Sequence, residues 1–207
     1  MAGCGGRLPS PRRAHSNPAM VTLASLWLPI LVSAVFVFIA SSLIHMVLQS
    51  HNKDYGMIPD EDGFLELLRR SGVQPGQYVF PGCKSMKELG TPEMQAKFAK
   101  GPIGTLIVRP SGGLGMGKSL FQWFLFCVMA GVFVAYLTGL AAAPGAESQR
   151  VFRIAATAAL FGHAFWCVHD SIWKGIAWAT TGRFMFDGLV YALVTGATFA
   201  WLWPAAA

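Results

Sequence analysis

Four long apolar stretches constrain the fold of this 207-residue chain more than any other feature. Residues 21–49 and 119–143 contain no Lys, Arg, Asp or Glu, and residues 151–173 and 184–204 contain only three between them. A helix rises about 1.5 Å per residue, so about 20 residues cross a hydrocarbon core of about 30 Å. Each stretch is long enough. We therefore predict an all-α integral membrane protein, built as a four-transmembrane-helix bundle.

The charged residues are few and concentrated in one segment. They make up 13% of the chain, against roughly 25% in an ordinary soluble domain, while hydrophobic residues make up 54%. This composition excludes a disordered protein and a water-soluble globule. The long uncharged runs also exclude a disulfide scaffold, and the four cysteines, which form no CxxC pair, are uninformative.

Residues 50–118 form a polar segment between the first two predicted spans. The acidic residues 60–62 favour the start of a short helix, and Thr91 followed by Pro92 predicts a second helix start. Residues 77–80 and 103–108 are the strand candidates. We predict a small α+β soluble insert, which is too small for much core and should lean on the membrane surface or on a partner.

Residues 1–20 differ from the rest of the chain. They are rich in Gly, Pro, Ser and Arg, show no periodicity, and end at Met20. We interpret them either as a disordered tail or as a non-native extension upstream of a start at Met20. The apolar run that follows is far longer than the core of a signal peptide, so a cleaved signal is not expected.

The distribution of Lys and Arg predicts the orientation. With four spans, the insert and the third loop lie on one side and hold 11 of the 16 Lys and Arg residues. Because positive charges near span ends stay in the cytoplasm, we predict a cytoplasmic insert and periplasmic termini.

Residues 112–119 match the phosphate-binding pattern GxxxxGK[ST]. In a true P-loop, backbone donors and a helix N-terminus hold the phosphates, and a parallel sheet surrounds the loop. Here the following helix is a predicted span, and two short strands cannot form such a sheet. We interpret the motif as a connector, with Lys118 at the lipid headgroups, and expect neither nucleotide nor nucleic acid as a partner.

Polar residues lie near the insert-side end of all four spans. They are His45 on the first span, Gln122 on the second, His169 and Asp170 on the third, and Asp187 on the fourth. Ionisable residues inside a membrane are costly and suggest a functional site. His163, close to the middle of the third span, is expected to form a helix-packing hydrogen bond.

Three interpretations of this polar layer stay open. Pairs spaced i,i+4, such as Asp170 with Lys174 and Arg183 with Asp187, stabilise helix ends without any further role. Asp170, Asp187 and a histidine could form a proton or ion path. A haem or metal site is a third alternative, because His45 and His169 are potential imidazole ligands on different helices. No catalytic residue and no metal-ligand spacing stands out, and no cofactor is predicted.

Small residues recur every four positions on two spans. The sets are Gly131, Ala135 and Gly139 on the second span, and Ala192, Gly196 and Ala200 on the fourth. Such stripes let helix backbones approach closely. They favour packing within the bundle, with a face for another membrane subunit or for self-association as the alternative.

Three segments resemble a family of small bacterial inner-membrane proteins. They are Val21–Pro29 together with Ser41–His45, Asp170–Gly175, and Phe186–Tyr191. The likeness covers about residues 20–204 and implies a bacterial inner membrane, but no assigned activity. The predicted function is a non-enzymatic accessory or interaction subunit of a membrane complex. A small transporter or ion conductor is the first alternative, and a haem- or metal-binding protein the second.

Overall fold

The computed structural model describes residues 21–113 and 115–206. Within them, four helical segments are long and apolar enough to cross a membrane: Leu23–Val47, Met116–Ala141, Ser148–Lys174 and Trp178–Trp201. A small two-stranded sheet lies between the first and the second. The predicted fold class is therefore confirmed. The predictions for residues 1–20 lie outside the described residues.

The first span contains three kinds of helix. A 3-10 turn at Leu23–Leu26 leads into α1 at Trp27–Ser42, and a π-helical turn at Leu43–Val47 ends the span. The last turn is closed by the Leu48 amide, which donates to the Leu43 carbonyl. Single π-helical turns occur often at functional sites. His45 lies in this turn.

The other spans follow in chain order. Helix α5 at Met116–Ala141 is continuous. The third span consists of α6 at Ser148–Ala164, a 3-10 turn at Phe165–Cys167, and a short helix at Val168–Lys174. At the break, the Trp166 indole donates to the His163 carbonyl at 3.0 Å, which helps to satisfy a backbone acceptor.

The fourth span is a single helix, α8, at Trp178–Trp201. It begins six residues before the predicted start at residue 184. The predicted start was too late because the first turns of α8 are polar and therefore have low hydropathy. Thr180 and Thr181 in these turns are nevertheless buried against the protein.

The insert has the predicted succession of elements. Helix α2 at Glu61–Arg70 begins at Asp60, and α4 at Pro92–Lys100 begins at Thr91, whose hydroxyl accepts from the Met94 amide. Strands β1 at Gly76–Phe80 and β2 at Gly104–Val108 pair antiparallel, with Gly76 opposite Val108. A single helical turn, α3 at Met86–Leu89, lies between them. In the described part of the insert, Met94 is the only buried large hydrophobic side chain, so the insert has little core of its own.

The two ends of the bundle are clearly different. At one end, the Gly145 amide donates to the Pro204 carbonyl at 2.8 Å, and the Trp203 indole donates to the Ala143 carbonyl at 2.9 Å. Gly139 faces the Val21 carbonyl at the same end. The start of the first span and the end of the last therefore lie together, and the insert lies at the opposite end.

The small residues pack inside the bundle. A β-carbon on Gly196 would lie 2.7 Å from the Ala156 β-carbon, and one on Gly131 would lie 3.3 Å from the Ile30 carbonyl oxygen. Ala135 and Ala192 are buried, and Ala200 is partly buried. These contacts use the predicted stripes to hold neighbouring spans together.

Large apolar side chains cover the outer surface of the spans. They include Trp27, Leu31, Phe36, Ile39, Phe133, Tyr136, Leu140, Phe161, Leu193 and Trp201. An apolar exterior on helices of this length is what a lipid environment requires.

Candidate functional site

A cluster of charged and polar side chains is buried at the insert end of the bundle. We call it the insert-end cluster and define it by His45 in the π-helical turn, His51 and Asp54 in the following loop, and Thr180, Arg183 and Asp187 on α8. The loop folds back onto α8 immediately after the first span. Groups from the first span, the loop and the fourth span thereby meet.

His51 is the centre of the cluster. Its Nδ1 lies 2.5 Å from Asp54 Oδ2, and its Nε2 lies 2.7 Å from Asp187 Oδ2. The His51 side chain is only 15% exposed. An ionised carboxylate accepts hydrogen bonds and donates none, so both nitrogens can donate only when the ring is protonated on each.

Asp54 is held by three further contacts with α8. The Arg183 guanidinium donates to Asp54 Oδ1 from Nε at 2.7 Å and also from its NH2 group, and the Thr180 hydroxyl donates to the same oxygen at 3.1 Å. Burial raises the pKa of the Asp54 carboxyl, but these bonds and the bond from His51 lower it by more. The net pKa is below the ordinary value of 3.8.

The cluster is electrically balanced when His51 carries a proton on each nitrogen. The carboxylates of Asp54 and Asp187 then face the guanidinium of Arg183 and the imidazolium of His51. Buried charges are tolerated when they are paired and hydrogen-bonded in this way. The balance depends on the His51 proton, which a bound cation could replace.

His45 adds a second imidazole beside Asp187. Its Nε2 lies 3.9 Å from Asp187 Oδ2, and its side chain is 42% exposed. The two imidazole rings pack edge to face, with centroids 4.6 Å apart. His45 makes no hydrogen bond to another described residue, so it is the least tightly held member of the cluster.

His45, His51 and Asp187 form a potential metal-ligand set. One ligand atom from each lies within 4.8 Å of the others. Two imidazoles and one carboxylate are ligands that zinc and other first-row transition metals accept. Asp54 on the far nitrogen of His51 matches the carboxylate–histidine–metal arrangement, in which the carboxylate orients the ring.

The remaining members of the predicted layer lie elsewhere. Asp170 accepts from Lys174 at 2.7 Å and lies 3.1 Å from His169 Nε2, in a second cluster at the end of the third span. Gln122 is exposed on the outside of α5. Of the two predicted i,i+4 pairs, Asp170 with Lys174 forms, whereas Arg183 pairs with Asp54 instead of Asp187. The predicted polar layer therefore separates into two clusters, and Gln122 belongs to neither.

A cavity of about 890 Å³ lies between the spans and reaches His45 and Asp187 at one end. Its other lining residues are mostly apolar or aromatic and include Met116, Leu120, Trp123, Phe126, His163, Trp166, Phe184 and Tyr191. His163 and Tyr191 are buried. Among the described residues, neither His163 Nδ1 nor the Tyr191 hydroxyl has a hydrogen-bond partner. Leaving such a group unpaired costs about 1–3 kcal/mol.

The GxxxxGK[ST] segment connects β2 to α5. Helix α5 begins at Met116, inside the motif, and Gly115 precedes it with a φ of +61°. Leu114 lies outside the described residues. The preceding strand belongs to a two-stranded antiparallel sheet, which differs from the parallel sheet around a P-loop.

Sequence analysis named His45 and Asp187 but missed His51 and Asp54. Both missed residues lie just beyond the first apolar run, in the segment assigned to the soluble insert. The chain turns back onto α8 at this point, and hydropathy gives no sign of that turn. The only signal in the sequence that could have identified them is their closeness to His45, with His51 and Asp54 following it within nine residues. Three such groups beside a span, with an intramembrane carboxylate elsewhere, indicate a shared site.

A search for matching protein families, curated proteins and solved structures found none. The fold and the site therefore define the class: a multi-pass membrane protein with a buried His/Asp/Arg cluster at one end of a four-helix bundle.

Proposed function

We propose that this protein binds a divalent first-row transition-metal ion at the insert-end cluster. His45, His51 and Asp187 supply the ligands, and Asp54 orients His51. The observation that carries the proposal is the convergence of three ligand atoms within 4.8 Å, from the first span, the loop that follows it and the fourth span. This replaces the interaction subunit as the leading interpretation, because the small-residue stripes are used within the bundle.

The ligand spacing requires only small adjustments for a metal. Bonds of about 2.0–2.2 Å in a tetrahedral arrangement place ligand atoms about 3.3 Å apart. His51 Nε2 and Asp187 Oδ2 are slightly closer than this, at 2.7 Å, and His45 Nε2 is slightly farther from Asp187, at 3.9 Å. The exposed His45 side chain can rotate to make up the difference.

Metal binding in this site competes with a proton. His51 Nε2 must lose its proton to water before it can bind a metal, because a ligating imidazole nitrogen and a ligating carboxylate are both unprotonated. The proposal therefore includes proton release on binding. We also expect the metal to bind more weakly as the pH falls.

Titration of the purified, metal-free protein in detergent with Co²⁺ tests the proposal. Tetrahedral Co²⁺ should give strong visible absorption that added Zn²⁺ abolishes. His45→Ala should weaken binding at least 100-fold through loss of a ligand, and Asp54→Asn should weaken it about 10- to 100-fold through loss of orientation. His169→Ala is the matched control, since His169 is also an exposed histidine at the insert end. Equal losses for His45→Ala and His169→Ala would contradict the proposal.

We also propose which membrane the protein lies in and which way it faces. The resemblance to small bacterial inner-membrane proteins supports that membrane, and the excess of Lys and Arg on the insert side supports a cytoplasmic insert. The metal site would then lie at the cytoplasmic end of the bundle.

An interaction role of the insert is the second candidate. The observation that favours it is a pair of exposed apolar side chains on one face of the two-stranded sheet, where Val79 and Ile107 are 65% and 68% exposed. Extraction in a mild detergent should then yield a constant set of co-purifying membrane subunits, and Val79→Lys should remove them. A monomer as the sole species would count against this role.

A further inference from the structure

A crevice of about 930 Å³ separates the insert from the end of the third span. Its insert side is formed by the end of β1, the turn that follows, α3 and the start of β2, and its bundle side by residues 173–176. The third span ends at Lys174. Because the end of a span lies at the level of the lipid head groups, the crevice opens at that level.

The charged side chains that line this crevice are all positive. They are Lys84 and Lys174, and no Asp or Glu lines it. Lys174 pairs with Asp170 at 2.7 Å, whereas the exposed Lys84 ammonium forms no ion pair with a described carboxylate. The nearby Glu88 carboxylate accepts from the Lys84 backbone amide at 2.7 Å and leaves the ammonium group free. The crevice therefore favours an anion.

The walls around the two lysines are apolar. Phe80, Met86 and Ile103 on the insert side and Trp173 on the bundle side are large, exposed side chains. A small hydrophilic anion would match the lysines and leave these walls in water, which is unfavourable for apolar surface. An occupant with an anionic head and a hydrocarbon tail matches both parts of the lining.

The charge of the chain argues against the chain itself as the occupant. Residues 1–20 contain three Arg residues and no Asp or Glu, so they do not complement a positive crevice. A second copy brings a formal net charge of +6 and is repelled in the same way. The bilayer, in contrast, supplies amphipathic anions at the depth of the crevice.

We propose that an anionic phospholipid binds in this crevice, with its phosphate between Lys84 and Lys174 and the start of its acyl chains along Phe80, Met86 and Trp173. Basic pockets beside membrane-spanning helices are known to bind anionic lipid head groups. The lipid joins the insert to the third span, which stabilises a segment with little core of its own. This inference goes beyond the proposed metal site and does not require a bound metal.

The alkylation rate of Cys83 in the Cys4→Ser variant tests this inference, because Cys83 lines the crevice and Cys127 and Cys167 are buried. The purified full-length chain reacts with N-ethylmaleimide in micelles of a neutral detergent that contain dioleoylphosphatidylglycerol or dioleoylphosphatidylcholine. At a phosphatidylglycerol concentration about four times its Kd, alkylation should be about fivefold slower than with phosphatidylcholine. The bound lipid exchanges, so it slows the reaction and does not prevent it.

Two lysine variants separate binding in the crevice from a general effect of the anionic micelle. Lys84→Gln should raise the Kd about fivefold, which leaves alkylation slowed by less than about twofold at the same lipid concentration. Lys87→Gln is the matched control, since Lys87 is exposed on α3 and does not line the crevice. It should keep the full protection of Cys83.

Three results would overturn the inference. The first is an equal alkylation rate with the two lipids, and the second is equal protection in the two lysine variants. The third is equal protection of Cys83 by glycerol phosphate or by polyglutamate, which carry negative charge and no acyl chain. The experiment is done on metal-free protein, so its outcome is independent of the Co²⁺ titration.

Discussion

At the scale of single residues, the insert-end cluster keeps two carboxylates out of water by giving each a partner from another part of the chain. Asp54, whose side chain is 1% exposed, is held by Arg183, and Asp187, 5% exposed, is held by His51. An unpaired buried charge is far more costly than an exposed one. The loop after the first span is therefore fixed to α8 by its paired charges, and the His51 ring also packs on Phe184, with centroids 4.6 Å apart.

Asp54→Asn should destabilise the protein by about 3 kcal/mol, because it leaves the Arg183 charge without its partner. We choose the lower end of the range for broken buried pairs, since Arg183 is about one-third exposed and can be rehydrated. Thermal unfolding in detergent measures the change. Asp62→Asn, at an exposed position on α2, is the control and should have little effect.

The lowered pKa of Asp54 gives a defined pH dependence. A carboxyl whose pKa is lower in the folded state contributes stability above its unfolded pKa, near 4, and loses it as the pH falls through the folded pKa. The wild-type thermal midpoint should therefore fall as the pH drops below about 4. The Asp54→Asn variant should have a flatter profile over that range, and identical profiles would contradict the assigned role.

Whether a site residue could be predicted from the sequence depended on the residues next to it in the chain. Asp187 and His45 stand out because they interrupt apolar runs, where an ionisable group is costly. His51 and Asp54 lie among polar residues, where they look ordinary. Their burial results from a chain reversal against α8, which is a tertiary event without a local signal.

At the scale of elements, one tight contact between spans is at Gly188. A β-carbon there would lie 2.6 Å from the Ala164 α-carbon, at the point where α6 gives way to the 3-10 turn. Helix backbones approach this closely only where a side chain is missing. Gly188 thus fixes the packing of the third span against the fourth.

Gly188→Ala should therefore destabilise the bundle by about 1–3 kcal/mol, since the added methyl group forces the backbones apart. Gly182→Ala is the matched control on the same helix, where a β-carbon meets nothing within 4 Å. The difference in thermal midpoint between the two variants measures the effect. Equal midpoints would contradict tight packing at Gly188.

The elements themselves were largely predictable, and their interruptions were not. Four spans follow from hydropathy, and Thr91 with Pro92 defined a helix start from capping chemistry alone. The break at Phe165–Cys167 depends on side chains that bond to nearby carbonyls. The residues before 184 join α8 because their polar groups face the protein. Neither the break in the third span nor the early start of α8 can be recognised from the average hydropathy of the sequence.

At the scale of the whole molecule, both described chain ends lie at one end of the bundle and the insert lies at the other. Cys83 in the insert is partly exposed, whereas Cys127 and Cys167 are buried within the spans. The proposed orientation can therefore be read from a single thiol once Cys4 is removed.

In the Cys4→Ser variant, a membrane-impermeant maleimide should label Cys83 in inside-out vesicles and not in intact spheroplasts, because the insert is proposed to face the cytoplasm. Labelling is measured by the mass shift of the protein. A variant that also carries Cys83→Ser should take up no label. The opposite pattern, with labelling of spheroplasts alone, would invert the orientation.

The insert-end cluster draws its groups from the two extremes of the membrane domain. His45 is in the last turn of the first span, His51 and Asp54 follow that span, and Arg183 and Asp187 are on the last span. During synthesis the chain emerges from its N-terminus, and early segments fold before late ones exist. His45 and the local pair of His51 with Asp54 must therefore wait for their partners on α8 while about 130 residues are made. Completion of the cluster coincides with the arrival of the final helix, so its formation marks the end of assembly.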